Sequence, residues 1–252
     1  MARWRLAAHL QRQDWAAVLI DLAIVVIGVF LGIQASNWND ERHDQRVANA
    51  YLQRIDSDLR SDVRQLRLHE DYWRASAEAG DRALHFAEEG RRSDDEWNTL
   101  LDFFHAGEVW SFTESNGTYN EMLSAGRLDL FSDSRLKAQL GNYYIGRRTQ
   151  HLLFDAAPAY RDDIRAAVPY RFQRYILDHC EASAYEANKG IPCPAPADAA
   201  GLRGLNGSLA RNAKLIGELR NWMTTLHYTR GVGTDDQRTA RRLINEIAAD
   251  RH

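Results

Sequence analysis

From Ala16 to Ile33 the chain is apolar at every position except Asp21, a run of eighteen residues with one charge. As a helix, a run of this length extends ~27 Å at ~1.5 Å per residue, close to the ~30 Å of a bilayer's hydrocarbon layer. No other feature restricts the fold as much, because such a surface leaves water only by entering lipid or a protein core. Trp15 precedes the run and Trp38 follows it, where amphipathic rings suit the two membrane–water interfaces. Gln34, Ser36, Asn37, Asn39, Asp40, Glu41 and Arg42 then close it sharply. A buried core helix and a cleaved signal peptide are the rival readings, and Ile33-Gln34-Ala35 would pass as a cleavage site. The run exceeds the ~7–15 apolar residues of a signal peptide and carries a carboxylate. The expectation is a transmembrane helix over residues 15–37.

The flanks set its direction. Arg3, Arg5 and Arg12 stand before the run against a lone Asp14, whereas Arg42 and Arg46 beyond it are diluted by Asp40, Glu41 and Asp44. The positive-inside bias puts residues 1–14 in the cytoplasm and residues 38–252 on the far side of the membrane. Cysteine usage agrees. Cys180 and Cys193 bracket the loop-like stretch CEASAYEANKGIPC, which an oxidising compartment would staple with a disulfide. Closing such a loop contributes roughly 3 kcal/mol in the chain-entropy model.

Composition confines the membrane contact to this one run, since mean hydropathy is -0.52 over the chain. A net charge of -3 argues against a nucleic-acid surface. Arg outnumbers Lys 29 to 3, but the arginines are interleaved with acids throughout. All five prolines lie at or beyond Pro158, so nothing earlier obliges a helix to break.

Apolar or small residues at Ala48, Leu52, Ile55, Leu59, Val63, Leu66, Trp73, Ala77 and Leu84 fall mostly three or four apart, one face of a long helix. This helix, 38–89, continues the membrane segment as a stalk and ends at Gly90. Ser93 to Glu96 and Thr118 to Glu121 read as capping boxes. The first opens a helix through Trp97, Leu100, Leu101, Phe103 and Phe104, and the second a short helix over 118–125 that Gly126 closes. Ser132 caps a further helix through Leu136, Leu140, Tyr143 and Leu152. Another spans Ala159 to Glu186 with a bend at Pro169, so helices fill 93–187. A small-residue linker, PAPADAAGLRGLNG, precedes a C-terminal helical pair within 207–252: Ser208 to Thr229, then Asp235 to Asp250 behind a third capping box, Thr234 to Gln237. With no period-two alternation, the expected fold is all-α: a membrane helix, a stalk and an extracytoplasmic helical bundle.

The segment WAAVLIDLAIVVIGVFLGIQASNWNDER resembles the membrane signature of a bacterial single-span family known as domain of unknown function 6090. Its members share an early acid, a glycine-containing apolar run, Gln and an Asn-Trp-Asn ending. The stretch TYNEMLSAGRLDLFSDSRLKAQLGNYY is similar to that family's middle motif. The two cover about a fifth of the chain, which departs in having Asp21 where Glu is usual. The resemblance implies a topology, a single span of a bacterial inner membrane with the helical unit in the periplasm, and no activity.

Asp21 is the most informative single residue. A carboxylate within an apolar helix costs ~2.5–3.5 kcal/mol at the bilayer centre and less near the interface, so it faces protein, water or an ion path. Gly28-Val29-Phe30-Leu31-Gly32 lets a second backbone approach closely. Asp21, Gly28 and Gly32, at offsets of 7 and 4, share one helical face, a candidate stripe for self-association or for a partner. The aromatic and acidic set Trp110, Phe112, Glu114, Tyr119, Glu121 and Phe131 reads as packing more readily than as a ligand pocket. Asp102 and His105, one turn apart, read as surface decoration. Glu88, Glu89, Asp94, Asp95 and Glu96 form an acidic loop region that reads as solvated rather than as a cation site.

No HxxxH pair, GxSxG elbow, phosphate-binding glycine loop or metal-spaced Cys–His set is present. The expectation is a non-catalytic module, without metal or cofactor. Its partners are the lipid bilayer and either a second copy or another envelope membrane protein. The alternative is an ion-motive or channel subunit working through Asp21, similar in layout to the single-span subunits of ion-driven motors.

Overall fold

The computed structural model describes residues 15–91, 95–109, 114–131, 133–154, 157–180 and 193–250. Every regular element among them is helical: α1 Trp15–Glu89, α2 Glu96–His105, α3 Gly117–Ser124, a 3₁₀ turn Arg127–Leu130, α4 Ser134–Phe154, α5 Ala159–Ala167, α6 Tyr170–His179, α7 Leu202–Arg211 and α8 Ala213–Asp250. The protein is all-α, as its periodicity indicates. It divides into two compact units, Met1–Leu52 and Gln53–His252.

α1 is unbroken over 75 residues. It contains no proline and only three glycines, Gly28, Gly32 and Gly80, so no position removes a hydrogen bond from the ladder. Gly90 ends it with φ +69°, a left-handed conformation that a Cβ disfavours. Its N–H bonds Phe86 O at 3.0 Å, satisfying one of the carbonyls a helix end leaves open.

In the second unit α1 presents an inward seam of Ile55, Leu59, Asp62, Leu66, His69, Trp73, Ser76, Gly80 and Ala83, alternately four and three residues apart. α8 carries a matching seam through Leu215, Leu219, Trp222, Leu226, Thr229, Gly233, Asp236, Ala240, Leu243 and Ile247. A repeat of ~3.5 residues keeps one stripe of a helix facing its neighbour over many turns. The two helices run antiparallel. Glu88 meets Arg220 at 2.7 Å, Asp81 meets His227 at 3.4 Å and Glu70 accepts from Gln237 at 2.7 Å. Gly80 lets the two helices pack with the Met223 sulfur lying where a Cβ would stand. α4 also lies antiparallel to α8, with Gln139 against Glu246 and Arg147 against Asp236.

The remaining core gathers on α2, whose Trp97, Leu100, Leu101, Phe103 and Phe104 are all buried. Tyr160 and Ile164 of α5, Phe172 and Ile176 of α6 and Leu202 and Leu209 of α7 join them. Burying each large apolar side chain contributes about 1.5–3 kcal/mol. Aromatic polar groups are satisfied inside this core: Tyr160 OH donates to Phe103 O at 2.7 Å, and Trp222 Nε1 to Ala106 O at 2.8 Å.

Several local expectations are corrected. Asp95, rather than Ser93, caps α2 by accepting from Asn98 N at 2.7 Å; Ser93 and Asp94 lie outside the described residues. The Thr118 box does not form. α3 begins at Gly117 with no side-chain cap, Thr118 is buried within it, and Glu121 instead binds Arg54. Gly126 does adopt the left-handed conformation, φ +65°. Ser132 lies outside the described residues, and the Asp133 carboxylate accepts from Arg135 N at the start of α4. Pro169 breaks its helix rather than bending it, giving α5 and α6. Gln173 Nε2 caps the break, donating to Arg165 O at 2.6 Å and Val168 O at 2.7 Å. Glu186 lies outside the described residues. The small-residue linker is half helix, since α7 starts at Leu202 and buries Asn206, whose Nδ2 donates to Glu96 O at 2.8 Å. The C-terminal pair is one helix, α8, running through Gly231 and Gly233 without interruption.

Candidate functional site

Within the first unit α1 is long and apolar enough to cross a membrane, with mean hydropathy of 2.5 over an eighteen-residue window and none of that window buried. Leu19, Ile24, Val25, Phe30 and Leu31 each expose roughly three-fifths of their surface. The unbroken helix fixes the phase of the three residues singled out by spacing: Asp21, Gly28 and Gly32 lie on one face. A Cβ at Gly28 or Gly32 would meet nothing within 4 Å, so no side chain among the described residues covers this face. Trp15 is the first residue of α1. Trp38 is exposed, and the Arg42 guanidinium lies 3.7 Å from its ring centroid.

Cys180 and Cys193 are joined in a disulfide. The bridge ties the end of α6 to the segment that leads into α7, and Trp97 Nε1 donates to Cys193 O at 3.0 Å. A cleft of about 400 Å³ beside it is lined by Trp97, Ala199, Leu202 and Arg203. Both carboxylates lining it are engaged: Asp95 accepts from Asn98 N, and Glu96 is bound by Arg203 and Asn206.

A buried polar cluster holds the second unit together, and spacing alone did not single it out. Asp62 is fully buried on α1. Its Oδ1 accepts from Ser115 N at 2.7 Å and its Oδ2 from Tyr143 OH at 3.0 Å. Burial pushes the Tyr143 and Tyr144 hydroxyls far above their ordinary range, so both stay neutral. Tyr119 stacks on Tyr144 with centroids 4.6 Å apart. Arg147, 5% exposed, binds Asp236 at 3.1 Å and approaches Glu114 at 3.9 Å. Thr234 and Gln237, which read as a helix cap, both reach across to Glu70. The available signal was the seam itself, where Asp62 and His69 occupy positions that the repeat assigns to apolar residues.

The described members of the aromatic and acidic set are therefore structural: Tyr119 and Phe131 are buried, Glu121 pairs with Arg54, and Glu114 sits beside Arg147. Trp110 and Phe112 lie outside the described residues. Asp102 is not surface decoration; it is buried and binds Arg82 at 2.7 Å. Glu88 and Glu89 pair with Arg220 and Arg91. Among the described residues no three His, Cys, Asp or Glu side chains converge as a metal site would require.

Comparison with protein-family models, with curated proteins and with solved structures finds no match.

Proposed function

We propose that this chain is a non-catalytic, membrane-anchored helical module that associates with a second copy or with another envelope membrane protein through the Asp21, Gly28 and Gly32 face. The apolar part of α1 spans the inner membrane, with the N-terminus cytoplasmic and the helical unit outside. The observation that carries this reading is a bare apolar helix with a carboxylate and two glycines on one side. Lipid satisfies the apolar positions but not the carboxylate, which gains from a polar partner. Two small residues one turn apart allow a second backbone close enough to supply one. The disulfide fits an oxidising compartment. The resemblance of the membrane exit to the single-span family supports the same topology.

Cross-linking in native membranes followed by mass spectrometry tests this directly. A homo-oligomer or one reproducible partner is expected, lost in Gly28→Ile/Gly32→Ile. Recovery of monomer alone would remove the reading.

The second reading, an ion-motive or channel subunit, is favoured by the single acid within the apolar run. Asp21→Asn separates the two. Conduction surviving in the variant excludes an ion path through Asp21, whereas intact assembly with lost conduction would establish one.

A further inference from the structure

Just past the apolar run α1 places five charges within seven residues: Asp40, Glu41, Arg42, Asp44 and Arg46. Elsewhere its helices set opposite charges one turn apart, as in Asp56 with Arg60, Asp71 with Arg74, Arg174 with Asp178 and Asp235 with Arg238. Such pairs stabilise a helix, whereas like charges four apart destabilise it. At the exit the pattern is reversed. Arg42 and Arg46 are four apart, Asp40 and Asp44 are four apart, and neither arginine has an acid three or four residues away. Neither makes an ion pair among the described residues.

The reversal sorts charge by face. At ~100° per residue, Trp38, Arg42 and Arg46 fall within ~80° of one another and Asp40 and Asp44 take the opposite side, with Glu41 on the flank ~60° from Trp38. Both arginines are also aimed back along the helix. The Arg42 guanidinium covers the Trp38 ring at 3.7 Å, and Arg46 Nε donates to Arg42 O at 3.2 Å. Side chains of a helix tilt toward its N-terminus, and here that direction is the apolar run. Arg42 and Arg46 stand ~6 Å and ~12 Å beyond Trp38 along the axis. With side chains directed inward, they reach the headgroup layer outside the hydrocarbon.

We propose that Trp38, Arg42 and Arg46 form a binding edge for the phosphate groups of anionic phospholipids where α1 leaves the bilayer. The proposal rests on the reading of α1 as a membrane span. Guanidinium forks match phosphate oxygens in a bidentate manner, and the indole, 58% exposed, supplies the amphipathic ring that favours this depth. The acids opposite repel the same headgroups, so the sorted charges select which side of the helix leans into the leaflet. Charge complementarity, with no acid among the described residues answering the two cations, identifies anionic lipid as the occupant.

The full chain, reconstituted in nanodiscs of phosphatidylcholine with phosphatidylglycerol and then released, is examined by native mass spectrometry for the lipids it retains. The unmodified protein is expected to keep phosphatidylglycerol in preference to phosphatidylcholine. That preference should fall about five-fold per arginine removed in R42Q and R46Q, and persist in D40N/E41Q/D44N. Equal preference in the unmodified and R42Q/R46Q proteins overturns the proposal. So does loss of a cross-linked protein partner in R42Q/R46Q with lipid retention unchanged, which would assign the face to protein. Alkaline extraction separates the two layers of inference. Unmodified protein that washes off membranes removes the span and this edge with it, whereas resistance to alkali with unaltered lipid preference removes the edge alone.

Discussion

Asp62 stands in the α1 seam three residues from Leu59 and four from Leu66, and it is as buried as either. A charged group at such a depth is tolerated only when its lone pairs are answered, here by Ser115 N and Tyr143 OH. Asp62→Ala should therefore cost about 3 kcal/mol, since hydrogen bonds to a charged acceptor are each worth ~1.5–3 kcal/mol and two donors would be orphaned. Asp62→Asn, which keeps one acceptor, should cost less. Equilibrium urea unfolding checks both, and a loss below ~1 kcal/mol for the alanine variant would deny Asp62 this role. His105 makes a second residue-scale case. Burial chiefly lowers its pKa, with Arg82 acting the same way and Glu108 and Asp102 opposing. Below the ordinary pKa of ~6.5 the unfolded chain takes up a proton that the folded chain resists, so stability falls as pH drops through that value. His105→Gln should flatten the dependence of stability on pH between about 7 and 5.5, measured as the difference from the unmodified protein. Sequence spacing exposed Asp21, Gly28 and Gly32 because helix phase is fixed by arithmetic alone. It did not expose Asp62, Arg147 or Asn206, whose partners lie 53, 89 and 110 residues away.

Among the elements, the existence of most helices was legible from periodicity and turn residues, whereas the break at Pro169, the continuity of α8 and the identity of the caps were not. The long helix, its end at Gly90 and the apolar face of α2 follow from local pattern. Capping boxes misled at Thr118 and Thr234, where the polar side chains serve other helices through Arg54 and Glu70. The uninterrupted α8 has a seam that outweighs two glycines, Gly231 and Gly233, at neither of which a Cβ would meet an atom within 4 Å. Glycine inside a helix costs ~1 kcal/mol relative to alanine. Gly231→Ala and Gly233→Ala should therefore each raise stability by up to about 1 kcal/mol in chemical denaturation. Destabilisation by either would instead indicate a break in the helix at this point.

At the scale of the whole molecule the apolar run and the folded core belong to different units, with the division after Leu52. The second unit has its own core and its own disulfide. A fragment of residues 53–252, made under oxidising conditions, should unfold cooperatively in detergent-free buffer; an aggregated or non-cooperative fragment would show that the division is not one of stability. The all-α class was readable because helix-breaking residues are scarce early in the chain and the apolar spacing never alternates. The antiparallel pairing of α1 with α8 was not readable, because nothing local announces which two seams will meet.

The meeting of those seams at Gly80 and Met223 bears on how the protein ages. Met223 is 3% exposed, and its sulfur occupies the space a Cβ on Gly80 would need. Adding an oxygen to that sulfur makes it bulkier and polar, which opposes its burial between the closed helices. Oxidants can modify it only during moments when α1 and α8 separate, and each modification then opposes their return. Sulfoxide formed at Met223 would therefore report how often this helix pair opens, a chemical clock set at the joint of α1 and α8.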